Sequence, residues 1–408
     1  MIMNLKRIIA ISFAVFLVNL ALLFLGDREA DAIPAFARKY DISCMVCHTP
    51  SIPKLKPYGD TYAGDGFKLE DYRAPRYFVE TGDHKLSLIR NFPLAVRLDG
   101  YLQMRVDESG QTDLSAPYLM KILSGGELSD HFSYYFYFYL SEQGEVAGVE
   151  DAFLMYDRLF NTDLDIYLGQ FQVSDPLFKR ELRLTFEDYH VYTPQIGISD
   201  ITMKYDRGLM FTYGLPTATD LTLMILNGNG LSEANALNLF DKDGYKSYLG
   251  RVSQNIGDYL RLGVVGYYGK EELTNAANSV ITNSTGYLGS DATVTISDQL
   301  EINMQYLFRN DDNVYLSRSD FNTAEDIRTH GALGEIIFSP RGDESDWYAV
   351  GLYNYVQSDF DPADYHSATL HLGYLVRRNI RFSAEYTGIF TDPDNPVSRI
   401  SLGFTSAF

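Results

Sequence analysis

The stretch "QLEINMQYLFR" at residues 299–309 alternates apolar and polar side chains through most of its length. One face carries Leu300, Ile302, Met304, Tyr306 and Phe308. The other face carries Glu301, Asn303, Gln305 and Arg309. A period of two is typical of a β-strand with one apolar and one polar face, and about ten residues is the length that crosses a membrane at a tilt.

The same alternation recurs after residue 90, for example in "FSYYFYFYL" at 132–140 and "RFSAEYTGIF" at 381–390. It predicts sixteen strands, at 93–107, 117–128, 130–142, 149–158, 162–172, 207–215, 219–228, 244–254, 258–270, 285–297, 299–309, 329–339, 345–357, 365–377, 379–391 and 398–408. Links after even-numbered strands are mostly short. Links after odd-numbered strands are longer on the whole, and the longest are 173–206, 310–328, 229–243 and 271–284.

Short turns on one side and long loops on the other are typical of an outer-membrane barrel. A water-soluble sandwich also shows alternation, but three features favour the barrel: the strand length, the aromatic content of 14%, and a slightly negative mean hydropathy, as expected when alternate residues face a wet lumen. The last strand resembles that of bacterial outer-membrane barrels, which ends on an aromatic residue. We therefore predict an all-β fold, an antiparallel transmembrane β-barrel of about sixteen strands at 91–408, preceded by a small helical segment at 33–90.

Residues 1–32 have the features of an export signal. Lys6 and Arg7 precede the apolar run "IIAISFAVFLVNLALLFLG", and Ala30–Asp31–Ala32 matches a small-x-small cleavage pattern. The alternative is an uncleaved membrane anchor, since the run is long enough to span a bilayer. Both interpretations place the rest of the chain outside the cytoplasm. The formal net charge of −20 argues against nucleic acid as a partner.

Both cysteines of the chain lie in "DISCMVCHTP" at residues 41–50. Cys44, Cys47 and His48 form C-x-x-C-H, the attachment signature of c-type haem. Two thiols one helical turn apart reach the two vinyl groups of a porphyrin, and the adjacent histidine offers a nitrogen to the iron. A dithiol redox pair lacks its usual βαβ context here, and a zinc site lacks a second cysteine pair.

Residues 33–67, "IPAFARKYDISCMVCHTPSIPKLKPYGDTYAGDGF", resemble the amino-terminal segment of the fused cytochrome–porins, a family that includes outer-membrane iron oxidases. The matching residues are Pro34, Phe36, Ala37, Arg38, Cys44, Cys47, His48, Pro53, Leu55, Gly59, Gly66 and Phe67. Lys39 and Tyr40 depart from the Gln-Thr pair of the iron oxidases. The resemblance implies one covalently bound haem c in a segment that plugs an outer-membrane barrel of a Gram-negative-type bacterium, entering from the periplasmic side.

His48 is the predicted proximal iron ligand. The distal ligand is open: His190, in the 173–206 link, and His84 are the first candidates. His131 and His371, on predicted lumen faces, and Met155 are further ones, and a five-coordinate iron is another alternative.

Arg38 is a candidate partner for a haem propionate, or else a surface charge. The 173–206 link either folds inward as a constriction loop over the haem or remains an ordinary extracellular loop.

Electron transfer across the outer membrane is the predicted function. An extracellular donor, with Fe(II) as the specific candidate, would pass electrons to a periplasmic carrier, and outward transfer is an alternative. The protein would then be a ferrous-iron oxidase or a non-enzymatic electron carrier in contact with outer-membrane lipid. The other alternative is a solute porin whose haem segment is a structural plug or redox gate. The sequence contains no phosphate loop, nucleotide fingerprint or nucleophile–base motif.

Overall fold

The computed structural model describes residues 35–51, 53–69, 79, 82–83, 85–89, 92–106, 110–318 and 324–408. The predicted export signal and His84 lie outside the described residues. Two short helices precede the strands: α1 is Ala35–Tyr40 and α2 is Pro57–Gly64. In the described part of the chain, no helix combines the length and apolar character needed to cross a membrane.

Within the described residues, sixteen strands form a closed antiparallel barrel in which each strand pairs with its neighbours in the chain. The strands are β1 Leu94–Val106, β2 Thr112–Glu127, β3 Phe132–Glu142, β4 Gly148–Tyr156, β5 Leu164–Gln172, β6 Tyr205–Leu215, β7 Thr219–Leu226, β8 Ser247–Ile256, β9 Leu260–Thr274, β10 Val280–Ser297, β11 Leu300–Val314, β12 Glu325–Phe338, β13 Trp347–Ser358, β14 Tyr365–Arg377, β15 Ile380–Ile389 and β16 Val397–Ala407. The barrel closes where β1 pairs with β16, from Arg97 opposite Ala407 to Val106 opposite Ser398. The predicted fold class is confirmed.

The barrel wall is apolar outside and polar inside, as the alternation predicts. In β11, Met304 and Tyr306 are 46% and 43% exposed, whereas Asn303 and Gln305 are 5% and 3% exposed. Other exposed apolar residues on the strands include Leu223, Tyr248, Val252, Val264, Leu288, Ile336, Leu370 and Tyr386. An apolar outer face around a polar interior matches a barrel surrounded by lipid.

The two rims of the barrel differ, and we call them the short-turn end and the long-loop end. At the short-turn end the links are brief, such as 257–259 between β8 and β9 and 298–299 between β10 and β11. At the long-loop end the longest links are 173–204 and 227–246.

Two predicted loop boundaries are wrong. The predicted link 271–284 is largely strand, because β9 and β10 continue to pair as far as Thr274 opposite Val280. The predicted link 310–328 is shorter at both ends, because β11 extends to Val314 and β12 begins at Glu325. Their side chains are mostly polar, as in Glu271 opposite Asn283, so the apolar alternation stops while the backbone ladder goes on. His131 is not in a strand either, since β3 begins at Phe132.

The link between β5 and β6, residues 173–204, folds into the barrel, and we call it the lumen loop. Its apolar side chains Tyr189, Val191, Tyr192, Ile201 and Met203 belong to a buried cluster. The barrel wall supplies the other side of that cluster, including Met155, Phe171, Met210, Met224, Leu249, Val265, Leu307, Leu333 and Leu352. An apolar patch on a lumen-facing wall is explained by this loop, which removes it from water.

Polar wall side chains bind the backbone of the lumen loop. The Glu385 carboxylate accepts hydrogen bonds from the N–H groups of Phe186 (2.6 Å) and Glu187 (2.9 Å). Arg309, only 2% exposed, donates to the carbonyl oxygens of Pro194 and Ile201, both at 3.0 Å. The loop thus has hydrogen-bond partners that a loop in the lumen needs, because buried backbone groups are costly when unpaired.

Candidate functional site

The cysteine–histidine motif forms one tight turn at the short-turn end. Cys44–Val46 is a 3₁₀ turn, and the Ser43 side chain caps it by accepting a hydrogen bond from the Met45 N–H. The His48 N–H donates to the Cys44 carbonyl oxygen at 2.9 Å. This turn places both cysteines and the histidine within one short stretch of helical backbone, as the spacing predicts.

The His48 ring is held in one tautomer. Its Nδ1 lies 2.9 Å from the carbonyl oxygen of Pro53. A carbonyl oxygen only accepts hydrogen bonds, so Nδ1 carries the proton and Nε2 keeps its lone pair. Burial lowers the pKa of His48, which favours the neutral ring. A neutral imidazole whose other nitrogen donates to a backbone carbonyl is the usual state of a histidine that ligates a metal.

The turn is braced by the segment that follows it. The Lys56 N–H donates to the Cys47 carbonyl oxygen at 2.8 Å, and His48 forms an isolated β-bridge with Leu55. Gly59 of α2 lies so close to Cys47 that a Cβ at this position would overlap the Cys47 carbonyl group. A glycine is therefore required for α2 to pack on the turn.

The residues present fit a covalently attached haem. Cys44 and Cys47 are both free and partly exposed, and burial raises the pKa of each thiol. Two free thiols therefore lie one turn apart beside an imidazole with an available Nε2. Among the described residues, no group of three or more His, Cys, Asp and Glu side chains is arranged to hold a metal ion.

Residues 35–69, which we call the haem segment, dock on the short-turn end through lysines. Lys39 pairs with Glu127 at 3.8 Å, and their side chains are 3% and 4% exposed. Lys56 pairs with Asp343 at 2.5 Å, Lys68 pairs with Asp157 at 2.8 Å, and Lys54 pairs with Glu301. Burial lowers the pKa values of Lys39 and Lys54 to about 8, although the nearby carboxylates act to raise them.

An aromatic cluster joins the haem segment to the barrel wall. Phe36 stacks on Phe67 with ring centroids 5.1 Å apart, and Phe67 stacks on Tyr135 of β3 at 4.9 Å. Tyr40 and Tyr62 pack edge-on in the same cluster. The haem segment is thus fixed to the wall by apolar packing as well as by ion pairs.

The structure does not bring His190 to the haem segment. Its ring stacks on Tyr365 with centroids 3.7 Å apart, and its Nε2 lies 3.5 Å from Glu187 Oε1. Tyr365 begins β14 at the long-loop end, so His190 lies in the half of the lumen away from Cys44 and Cys47. Burial lowers the pKa of His190.

The other candidates also have local partners. His131 lies in the turn before β3, with Nδ1 at 3.2 Å from the Asp157 carbonyl oxygen. His371 faces the lumen, with Nδ1 at 2.9 Å from Glu385. Met155 is 1% exposed in the cluster beneath the lumen loop. Arg38 donates to the Leu94 carbonyl oxygen at the start of β1, and its contact with a haem propionate stays a prediction. The distal ligand thus stays open.

The lysine contacts were missed at the sequence level, although the chain contains a signal for them. Lys39, Lys54, Lys56 and Lys68 all flank the cysteine–histidine motif in a chain of net charge −20. A local excess of lysine in an acidic protein indicates a segment that binds the acidic remainder.

Comparison with known proteins identifies the barrel type. Similar solved structures include an anion-selective porin from Comamonas acidovorans (TM-score 0.54, 10% identity, 78% of this chain and 99% of that one). A loop-deletion mutant of OmpT, an outer membrane protein of Vibrio cholerae, gives a TM-score of 0.53 at 14% identity, over 78% of this chain and 99% of that one. The outer membrane channel DcaP of Acinetobacter baumannii gives a TM-score of 0.52 at 13% identity, over 77% of this chain and 96% of that one.

The chain has the fold of outer-membrane porins. At these identities the likeness concerns the fold alone. No protein-family model matches the chain, and the comparison with curated proteins gave no match. The resemblance of residues 33–67 to cytochrome–porins stays a prediction.

Proposed function

We propose that this protein is an outer-membrane electron-transfer barrel that carries one haem c at its periplasmic mouth. The observation that carries the proposal is the turn in which free Cys44 and Cys47 stand beside His48, whose Nδ1 lies against the Pro53 carbonyl oxygen. Bound haem c would supply a one-electron Fe(III)/Fe(II) couple. An extracellular donor would lose one electron, as Fe(II) does in becoming Fe(III), and a periplasmic carrier would gain it.

The chain's own residues perform three tasks in this proposal. Cys44 and Cys47 attach the cofactor, and Pro53 orients the His48 ring through its carbonyl oxygen. The lysines of the haem segment hold this assembly against the short-turn end, which faces the periplasm in outer-membrane barrels. The lumen loop packs against the inner wall and narrows the interior of the barrel.

Absorption spectroscopy of the full-length protein in detergent tests the proposal. We expect one c-type haem per chain, and rapid reduction of the oxidised haem after anaerobic mixing with Fe(II). Full haem loading without reduction by Fe(II) would contradict iron as the donor. Absence of a covalent haem in protein made with an intact haem-attachment system would contradict the whole proposal.

A solute porin is the second candidate function. It is favoured by the porin fold and by a cavity of about 440 Å³ at the long-loop end, between the lumen loop and the wall. That volume is in the range of small-molecule sites. In planar bilayers an open porin would give steady single-channel conductance, whereas a barrel closed by its haem segment and lumen loop would give almost none.

A further inference from the structure

The arc of β14, β15 and β16 at the short-turn end lies between two contacts of the haem segment. On one side, Lys56 pairs with Asp343 in the link between β12 and β13. On the other side, Arg38 donates to the Leu94 carbonyl oxygen at the start of β1, the strand that pairs with β16. The haem segment is therefore held on both flanks of this arc, and the turn between β14 and β15 lies between the two contacts in the barrel order.

The turn between β14 and β15 consists of Arg378 and Asn379. The Asn379 side chain donates to the Ala407 carbonyl oxygen at 2.9 Å, and the Asn379 carbonyl oxygen accepts from the Ala407 N–H at 2.9 Å. These two hydrogen bonds tie the turn to the end of β16. The backbone that carries Arg378 is thus fixed in place at the rim of the barrel.

Arg378 differs from the lysines around the cysteine–histidine turn because no carboxylate among the described residues pairs with it. Its Nη1 is buried and has no hydrogen-bond partner in the described part of the chain. The four lysines of the haem segment each pair with a carboxylate, which cancels most of their field at a distance. The field of Arg378 is not cancelled in this way.

The charge of Arg378 reaches the haem attachment site. Burial raises the pKa of the Cys44 thiol, and the guanidinium of Arg378 acts on this pKa in the opposite direction. Cys44 is one of the two proposed attachment points, so haem bonded to it would lie within the field of the same cation. Carboxylates are the acceptors that suit a guanidinium best, and haem carries two of them as propionates.

We propose that Arg378 is the contribution of the barrel wall to the haem site and raises the reduction potential of the haem. This role rests on the proposed function, because it requires haem at Cys44. Ferric haem carries one more positive charge than ferrous haem, so a nearby unpaired cation disfavours the ferric form. A cation that pairs with a propionate acts in the same direction, because it masks a negative charge that favours the ferric form.

Redox titration of the full-length, haem-loaded protein in detergent, followed by haem absorbance, tests this role. At an effective dielectric constant of about 20, a unit charge about 10 Å away changes such an equilibrium roughly tenfold. In Arg378→Gln we therefore expect the ratio of reduced to oxidised haem at a fixed potential to fall about tenfold, which is about 59 mV for a one-electron couple. Arg378→Lys keeps the charge and should keep most of the potential. Arg378→Met also removes the charge and serves if Arg378→Gln does not fold.

Arg377→Gln is the matched control. Arg377 is the exposed neighbour of Arg378 and donates to the carbonyl oxygen of Val376. Its removal changes the net charge of the protein by the same amount. Salt screens an exposed charge far more than a buried one, so at high ionic strength Arg377→Gln should leave the potential unchanged while Arg378→Gln still lowers it.

The outcomes separate this role from the proposed function. Full haem loading with an unchanged potential in Arg378→Gln or Arg378→Met would overturn the role of Arg378 alone. So would an equal fall in Arg377→Gln at high ionic strength, or a fall in Arg378→Lys as large as that in Arg378→Gln. Absence of covalent haem in the unaltered protein would overturn the proposed function, and the role of Arg378 with it.

Discussion

Gly59 is the residue on which the shape of the cysteine–histidine turn depends most directly. A Cβ at position 59 would overlap the Cys47 carbonyl group, so Gly59→Ala must push α2 away from the turn. We expect a loss of about 1–3 kcal/mol in the stability of the haem segment, together with lower haem content per chain. The absorbance ratio of haem to protein and the thermal unfolding of the segment measure the two effects.

Gly64, in the same helix, is the matched control. A Cβ there has no neighbour within 4 Å, so Gly64→Ala should leave haem content unchanged. Equal losses in both variants would show that helix α2 responds to any added methyl group, and the steric explanation at Gly59 would then be wrong.

At the level of single residues, the sequence predicts the cysteine–histidine turn but not the contacts that hold it in place. The C-x-x-C-H spacing predicts that Cys44, Cys47 and His48 share one turn, because that contact is local. The Pro53 carbonyl that fixes the His48 tautomer and the close approach of Gly59 depend on how the following chain folds back. The position of His190 could not be predicted for the same reason, because its contact with Tyr365 joins residues that are distant in sequence.

Among the elements, the lumen loop depends on Glu385 of β15. Glu385→Ala leaves the N–H groups of Phe186 and Glu187 without their acceptor, and each unpaired group costs about 1–3 kcal/mol. We expect hydrogen exchange at residues 186 and 187 to accelerate strongly while the strands remain protected. Glu344→Gln, at an exposed residue of the turn 342–344, is the control and should change nothing in the loop. Unchanged protection in Glu385→Ala would contradict this anchoring role.

Acid should loosen the same loop through His190. Burial lowers the pKa of His190 below its ordinary value of 6.5, so below that pH the unfolded loop binds more protons than the folded one. The stability that the neutral ring contributes is therefore complete above pH about 6.5 and declines as the pH falls further. Hydrogen exchange of residues 186–192, corrected for intrinsic rates, should rise in acid, and His190→Gln should flatten that dependence. An unchanged acid response in His190→Gln would assign it to another group.

On the scale of the whole molecule, four lysines of the haem segment bind the acidic barrel. Lys39→Gln with Lys68→Gln removes the partners of Glu127 and Asp157, both of which are nearly inaccessible to solvent. Unpairing a buried ion costs about 3–5 kcal/mol, so the segment should become accessible to protease while the barrel stays folded. The control pair is Lys242→Gln with Lys246→Gln, whose lysines pair with Asp200 and Asp241 at the long-loop end. Equal protease sensitivity in both double variants would contradict docking by charge.

The sequence predicts the barrel better than it predicts what fills it. Sixteen strands follow from alternation, because lipid outside and polar groups inside impose a period of two on every strand. Alternation no longer marks a strand where that contrast between lipid and polar interior ends. At Glu271 opposite Asn283, for example, the strands continue although the apolar alternation has stopped. Nor does it show that Leu307 or Met155 faces inward, because their partners are residues of the lumen loop that are distant in sequence.

Electron transfer through the barrel is tested most directly in liposomes that hold the protein and contain trapped ferricyanide. Fe(II) is added outside under anaerobic conditions, and the loss of ferricyanide absorbance is followed over time. The proposed function predicts bleaching with the unaltered protein and almost none with the Cys44→Ser, Cys47→Ser double variant, which cannot attach haem. Equal bleaching by both proteins would show that iron itself crosses the barrel, and no bleaching by either would contradict a conduit for electrons from iron.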